Sequence, residues 1–229
     1  KQGAASAIPA LPKAAHTAVY IEMATTAAEL EQTAEAVGAL LEACGSSADT
    51  AWTATTEEET EGLKAFRHAL PETINQRIGE RAQKFPGLTK LGTDLAVPDE
   101  ALLKMMAAYR DRLSAAGLEY VMFGHIGDNH VHVNILPRNL DEYAQGKALY
   151  LELAQQALAW GGTVSGEHGI GKLKKPFLSL MYGAEGIAAM RAVKRVFDPA
   201  GLLNPGTLFD VEGSIPGRPK AGNNRLWTA

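Results

Sequence analysis

Cysteine is almost absent from this chain: Cys44 stands alone among 229 residues. One cysteine excludes an intramolecular disulfide and a zinc site built from thiolates, and it favours a reducing compartment such as the cytoplasm. Because Cys44 follows a helical pattern, we expect a buried packing thiol rather than a nucleophile. No run of 18 apolar residues is present, so the sequence predicts no membrane-spanning helix. Peripheral attachment to a membrane through other residues or subunits stays open.

Strong charge of either sign is also lacking. The net charge is −4 and the isoelectric point is about 5.9, with no basic block of the kind that binds nucleic acid. The one basic cluster, residues 172–175, is predicted to be a solvated face or a rim that faces carboxylates. A hydrophobic content of 46% and a charged content of 21% are typical of a soluble globular protein.

Several familiar motifs are missing. The sequence has no G-x-G-x-x-G or P-loop, which bind nucleotides, and no H-E-x-x-H, which binds zinc in metalloproteases. The chain opens without methionine on an Ala-, Gly- and Pro-rich stretch, so we interpret residues 1–15 as a linker within a longer polypeptide. Residues 210–229 lack periodicity and are predicted to be a tail. The predicted folded domain is therefore residues 16–209.

Within that domain, predicted strands and helices alternate. Thr26 with Glu29, and Thr56 with Glu59, have the spacing of capping boxes that open helices, and Pro71 is expected to kink or stop the second helix. A further helix after Pro98 is expected to bury Leu102, Leu103, Met106, Tyr109 and Leu113. Strands are predicted at 16–23, 51–55, 93–97, 118–123 and 130–136, and later helices at 140–160 and 184–197. This order predicts an α+β fold of the ferredoxin-like type, with one antiparallel sheet and helices on one face.

Two motifs carry the chemistry, and the first is GHIGDNHVHVN, residues 124–134. Side chains alternate between the faces of a strand, so the valines at 131 and 133 are expected in the core while His130, His132 and Asn134 line a cleft. The turn before the strand can fold His125 back beside His132. Asp128 is interpreted as a turn residue.

The second motif is the glycine-rich segment SGEHGIG, residues 165–171, which presents Glu167 and His168. Together His125, His132 and Glu167 form a set of two imidazoles and a carboxylate, which suits Zn²⁺, Mn²⁺ or Fe²⁺. His168, beside the carboxylate, is then placed to accept a proton from a substrate hydroxyl.

These residues resemble a known family, the C-terminal, substrate-side domain of FAD-linked oxidases of the vanillyl-alcohol-oxidase type. The similarity is greatest to D-lactate dehydrogenases, D-2-hydroxyglutarate dehydrogenases and glycolate oxidase large subunits. SGEHGIG matches the family letter for letter, and DPAGLLNPGTLF at 198–209 matches its closing segment. In the first motif, Asn129 and His130 replace the usual Gly-Asn.

The resemblance implies an FAD-dependent D-2-hydroxy-acid dehydrogenase. It assigns His125, His132 and Glu167 as ligands of a divalent metal, Zn or Mn, and His168 as the base. Arg67 would hold the substrate carboxylate, Asn134 would contact substrate, and Asn204 would lie near the flavin.

The resemblance also implies partners and a substrate class. The FAD would be bound mainly by an N-terminal domain that these residues do not contain, and electrons would pass to a quinone, a cytochrome or an electron-transfer flavoprotein. A homodimer is compatible with it. Gly92, where some relatives have lysine, and Pro71, at a threonine position of hydroxyglutarate enzymes, favour a substrate like lactate or glycolate.

Two other functions remain open from the residues alone. A metal-dependent hydrolase would use metal-bound water as nucleophile and need no flavin. A non-catalytic interaction subunit would keep the fold without the reaction.

Overall fold

A computed structural model describes residues 15–210 and divides the chain into two compact units, Lys1–Ile74 and Asn75–Ala229. The predicted linker and tail lie almost wholly outside the described residues. Five α-helices and three β-strands are present in the described part, which confirms the α+β class.

In the first unit, helix α1 spans Leu30–Ala43, and the predicted strands at 16–23 and 51–55 are wrong. Val19 and Ile21 are 64% and 49% exposed, so this segment has strand-like composition but no pairing partner within residues 15–210. A strand needs a neighbour to satisfy its backbone groups, and local pattern does not supply one. Cys44, at the end of α1, is exposed rather than buried, because α1 has no buried residues against which it could pack.

Helix α2 spans Glu57–Lys84, much longer than predicted. Its start is the predicted capping box: the Glu59 amide donates to Thr56 Oγ1, and the Thr56 amide donates to the Glu59 carboxylate. Pro71 was expected to kink or stop the helix; a stop is wrong, since α2 continues through it, and a kink stays a prediction. Proline removes one hydrogen bond, but the strong helix formers that follow it sustain the remaining ones.

The second unit is built around a three-stranded antiparallel sheet. Its strands are β1 (Leu91–Gly92), β2 (Tyr120–His125) and β3 (His130–Ile135), in the order β1-β3-β2. The β2–β3 hairpin pairs His125 with His130 and Phe123 with His132. Both strands were predicted close to these bounds. The more specific ferredoxin-like arrangement stays a prediction.

The predicted strand at 93–97 is mostly not a strand. Only Ala96 forms isolated bridges, to His130 and to Thr163. The segment nevertheless runs beside β3, where the Thr93 amide donates to the Val133 carbonyl and the Val133 amide donates to Thr93 Oγ1. It therefore brings Thr93 and Asp94 against the histidine-bearing strand.

Helices α3 (Leu102–Ala115), α4 (Leu140–Ala159) and α5 (Lys175–Phe197) complete the unit. α3 buries Met105, Tyr109 and Leu113, whereas Leu103 is 82% exposed, so its predicted place in the core was wrong. α5 begins earlier than predicted and kinks at Gly183, and the predicted helix 184–197 is its second half. The core between sheet and helices includes Leu95, Tyr109, Leu113, Val133, Ile135, Leu153, Ala154, Val164 and Phe177. None of the helices within residues 15–210 combines the length and apolarity needed to cross a membrane.

Candidate functional site

The β2–β3 hairpin gathers the histidines of the first motif. A 3₁₀ turn, Ile126–Asp128, joins the strands, so Asp128 lies in the turn as predicted. Asn129 follows with a φ of 53°, in the left-handed region that asparagine tolerates better than most residues. Its side chain donates to the Asp99 carboxylate. Asparagine therefore fits where the family motif usually has glycine.

His132 is buried, and both of its ring nitrogens have partners. Nδ1 lies 3.1 Å from the Thr93 carbonyl oxygen, and Nε2 lies 2.9 Å from Glu167 Oε1. A carbonyl oxygen only accepts, so Nδ1 carries the hydrogen and donates it. In the neutral ring, the lone pair of Nε2 then points at the carboxylate.

Glu167 connects His132 to His125. Its second oxygen, Oε2, lies 3.5 Å from His125 Nε2. The three ligand atoms lie within 4.8 Å of one another. A hydrogen bond from His132 Nε2, which the ring can donate only when both of its nitrogens are protonated, and the nearby imidazoles lower the pKa of Glu167, so this carboxylate is ionised at neutral pH.

This donor set fits a divalent cation. Two imidazole nitrogens and a carboxylate converge, and a cation between them would relieve the repulsion between the Nε2 lone pair of His132 and the Glu167 charge. The contact of His132 Nδ1 with a backbone carbonyl is the outer hydrogen bond that commonly fixes a metal-binding histidine. All three predicted ligands are thus brought together.

His168, the predicted base, lies against the same cluster. Its ring stacks on His132 with centroids 4.6 Å apart and planes 7° from parallel. Its Nε2 is 3.5 Å from Glu167 Oε1, while its Nδ1 is 3.6 Å from Asp94 Oδ1. The side chain is 58% exposed, so a substrate can reach it.

Sequence reasoning missed Asp94, whose side chain is completely buried beneath the second motif. It accepts hydrogen bonds from Ser165 Oγ at 2.6 Å and Lys174 Nζ at 2.9 Å. Burial alone raises the pKa of Asp94, but these donors and the Glu167 amide outweigh it and lower the pKa to about 2. The available signal was a carboxylate within the predicted strand 93–97, where an apolar run follows it. A carboxylate buried in such a strand needs several donors.

A second group of potential ligand atoms comprises Asp94, His132 and His168. The oxygens of Asp94 already face an ammonium, a hydroxyl and two backbone amides. A cation there would have to displace these donors. The set of His125, His132 and Glu167 is the better site, because its carboxylate is 44% exposed and free of such donors among the described residues.

His130 is not part of the ligand set. It is buried, and its Nε2 lies 3.0 Å from Asp94 Oδ1. Burial lowers the pKa of His130, and the adjacent His132 lowers it further, so the ring is neutral and donates from Nε2 to Asp94. Strand alternation alone did not separate its role from that of His132, since both were expected to line one cleft.

The remaining predicted residues lie outside this cluster. Asn134 is buried on β3, and a Cβ at the neighbouring Gly92 would lie 3.1 Å from its Oδ1. Arg67 is exposed on α2 in the first unit. Asn204 is exposed in the turn after α5, with a φ of 43°. Of the basic cluster at 172–175, Lys174 and Lys175 face carboxylates, those of Asp94 and Asp210.

Comparison with known proteins finds relatives named as a glycolate oxidase subunit and as dehydrogenases of hydroxy acids. The chain is 36% identical to the glycolate oxidase subunit GlcD of Bacillus subtilis over 159 residues, 69% of this chain and 32% of that protein. It is 38% identical to a D-2-hydroxyglutarate dehydrogenase of Xanthomonas citri over 129 residues, 54% of this chain and 27% of the relative. It is 31% identical to the mitochondrial D-lactate dehydrogenase (cytochrome) of Kluyveromyces lactis over 120 residues, 52% and 21% respectively.

The alignments thus cover about a third or less of each of these relatives. The family described as "FAD linked oxidases, C-terminal domain" matches residues 3–208, which include both histidine-bearing motifs and every candidate residue above. The chain belongs to the family of C-terminal domains of FAD-linked oxidases.

Proposed function

We propose that this chain is the substrate- and metal-binding part of an FAD-dependent D-2-hydroxy-acid dehydrogenase. The observation that carries the proposal is the convergence of His125 Nε2 and His132 Nε2 on the two oxygens of Glu167, with His168 stacked beside them. Family membership favours an oxidoreductase over the hydrolase alternative. The presence of all four residues supports a catalytic domain rather than an interaction subunit.

We propose two cofactors, FAD and a divalent cation, with different chemical roles. FAD, which we propose is held mainly by a domain outside this chain, would supply the acceptor for the hydride from the α-carbon. A divalent cation, Zn²⁺ or Mn²⁺, would supply a Lewis acid beside the substrate hydroxyl. We propose His125, His132 and Glu167 as the residues that hold it.

The residues of this chain do the remaining work. His168 accepts the hydroxyl proton, and its exposure beside Glu167 leaves space for a small substrate. Arg67 binds the substrate carboxylate, to which a guanidinium can donate two parallel hydrogen bonds. Asn134 contacts the substrate, and Asn204 lies near the flavin. The product is a 2-oxo acid.

The substrate is proposed to resemble D-lactate or glycolate. Gly92 has no side chain, so the region beside Asn134 lacks the lysine that some relatives have there. A substrate with a second carboxylate would therefore lack the ion pair that this lysine could form in those relatives. An electron acceptor such as a quinone, a cytochrome or an electron-transfer flavoprotein completes the cycle, and a cytoplasmic enzyme that forms a homodimer is compatible with these proposals.

The first test is metal content, measured by mass spectrometry on the wild type and on His132→Ala. We expect near-stoichiometric Zn²⁺ or Mn²⁺ in the wild type and loss of the metal in the variant, because a ligand held rigidly by Thr93 is removed. His16→Ala is the matched control, since this exposed histidine lies in the other unit. Equal metal content in wild type and His132→Ala would refute the ligand assignment.

The second test is turnover of D-lactate and glycolate by the complete polypeptide carrying His168→Ala. General-base catalysis is worth about 10²–10⁴-fold, so kcat should fall by at least the lower figure. Metal content should stay at the wild-type level, since His168 is outside the proposed ligand set. Unchanged kcat would mean that another group takes the proton.

A further inference from the structure

The SGEHGIG segment has no regular secondary structure, yet it must hold both a ligand and a base in place. Residues 165–169 form neither helix nor strand, and the backbone bends at residues 166–168. Glu167 and His168 are exposed, so neither side chain is fixed by packing in the core. A buried group is therefore needed to hold this backbone in position.

Asp94 is placed to do this, because it accepts hydrogen bonds from the backbone of the segment. Its Oδ1 accepts from the Glu167 amide at 3.3 Å, and its Oδ2 accepts from the His168 amide at 3.1 Å. Its own backbone carbonyl accepts from the Gly166 amide at 2.8 Å. Three consecutive amides of the segment therefore donate to one aspartate.

Three side chains, one of them in the segment itself, donate to the same carboxylate. Ser165 Oγ and Lys174 Nζ donate to Oδ2, and His130 Nε2 donates to Oδ1. Lys174 has only 17% of its side chain exposed, so its ion pair with the buried Asp94 is little screened by water. The charge of Asp94 is thus compensated by donors from β3, from the segment and from the start of α5.

We propose that Asp94 is a positioning residue for the metal site and the base, an inference that rests on the function proposed above. Asp94 fixes the backbone of residues 166–168. The Glu167 carboxylate is thereby held beside His132 Nε2, and the His168 ring is held in its stack on the His132 ring. His130 supports Asp94 from the strand that carries His132. Asp94 itself contacts neither substrate nor metal.

The test compares Asp94→Asn with Asp198→Asn in the intact protein. Both aspartates are buried and accept from a lysine and from two backbone amides, but Asp198 does so at the end of α5. The amide of asparagine turns an NH₂ group toward donors, so at least one of these hydrogen bonds is lost. The two variants therefore remove similar interactions at different places.

The first readout needs no metal: hydrogen–deuterium exchange of a peptide covering residues 164–169. In Asp94→Asn, the amides of residues 166–168 should exchange at least tenfold faster, while the peptides of α3 and α4 keep wild-type protection. Asp198→Asn should leave the 164–169 peptide unchanged. Wild-type protection of that peptide in a folded Asp94→Asn protein would overturn the proposal, as would equal loss of protection throughout the unit.

The second readout is the dissociation constant of Zn²⁺ and Mn²⁺ by equilibrium dialysis. Residues that orient metal ligands typically contribute about 10–100-fold in affinity, so Asp94→Asn should weaken binding by that factor. Asp198→Asn should change it by less than threefold. A wild-type protein that binds neither metal would refute the proposed metal site, while the exchange measurement would still decide the role of Asp94.

Ser165→Ala keeps the proposal testable even where Asp94→Asn does not fold. It removes one donor and leaves the carboxylate with its other partners. Exchange of residues 166–168 should rise and metal affinity should fall, both by less than in Asp94→Asn. No change in either quantity would overturn the proposal.

Discussion

Two histidines on one strand differ in role because of what their ring nitrogens contact. His132 donates from Nδ1 to a backbone carbonyl, which leaves Nε2 available as a ligand beside Glu167. His130 donates from Nε2 to Asp94 and is neutral and buried. The partners Thr93 and Asp94 lie nearly forty residues earlier in the sequence. Strand alternation placed both rings on one face, but only these tertiary contacts distinguish the proposed ligand from the proposed supporting residue.

Gly166 is a second residue whose role depends on close contact. A Cβ at this position would lie 2.6 Å from His130 Nε2, far inside van der Waals distance. Gly166→Ala should therefore displace the segment or the His130 ring and weaken Zn²⁺ binding by about 10–100-fold, as loss of supporting contacts typically does. Equilibrium dialysis measures this change.

Gly127→Ala is the matched control for that variant. Gly127 belongs to the first motif, and nothing lies within 4 Å of a Cβ built there. Its metal affinity should equal that of the wild type. Wild-type affinity in Gly166→Ala would show that the contact with His130 is dispensable.

At the scale of secondary-structure elements, the end of α5 is held by a carboxylate. Asp198 accepts from Lys194 Nζ at 2.6 Å and from the amides of Leu202 and Leu203. These hydrogen bonds, that of Lys194 foremost, lower the pKa of Asp198 below its ordinary value of 3.8. The turn that they stabilise leads directly to Asn204.

The sign of the pH dependence follows from this lowered pKa. A carboxyl group whose pKa is lower in the folded state stabilises the fold above its unfolded pKa, and this stabilisation is lost as the pH falls through the folded value. Asp198→Asn should therefore reduce the urea midpoint at pH 7, and the difference from wild type should shrink as the pH falls below about 4.

Asp111→Asn serves as control for this prediction. Asp111 forms an exposed ion pair with Arg110, and such pairs contribute little to stability. Its urea midpoint should match the wild type at pH 7. A difference between Asp198→Asn and wild type that stays constant from pH 7 to pH 3 would contradict the role assigned to the Asp198 charge.

Local pattern predicted some elements well and others poorly. The capping box of Thr56 and Glu59 was recognisable because it involves residues three positions apart, and it opens α2 in the structure. The predicted box of Thr26 and Glu29 is wrong, since α1 begins at Leu30 with Glu29 as its N-cap and without a side-chain cap. The strands of the β2–β3 hairpin were recognisable because alternation and a short turn define them locally. The segments at 16–23 and 51–55 have similar composition but lack a partner strand, which local sequence does not reveal.

At the scale of the whole molecule, the alignments with flavin-linked relatives cover about a third of their length or less. We propose that most of the contacts with FAD are made by residues outside this chain. The purified chain should therefore retain Zn²⁺ or Mn²⁺ but show no flavin absorbance after incubation with FAD and gel filtration. The complete polypeptide should carry flavin that D-lactate or glycolate reduces under anaerobic conditions.

The matched control is the complete polypeptide with His168→Ala. It should bind FAD as the wild type does, because His168 is assigned to proton transfer, while reduction of its flavin becomes at least 100-fold slower, the low end of the usual general-base contribution of about 10²–10⁴-fold. Stoichiometric FAD on this chain alone would contradict the proposed division of the two cofactors.

The sequence by itself determined the α+β class, the hairpin and the family, and it named His125, His132 and Glu167 as candidate ligands, since these depend on short motifs. Only the tertiary structure decided that Asp94 is buried beneath SGEHGIG, that His130 is hydrogen-bonded to it, and that α2 continues through Pro71. The physical reason is that burial and hydrogen-bond partners are set by residues distant in sequence. A buried carboxylate is stable only where the fold brings its donors together.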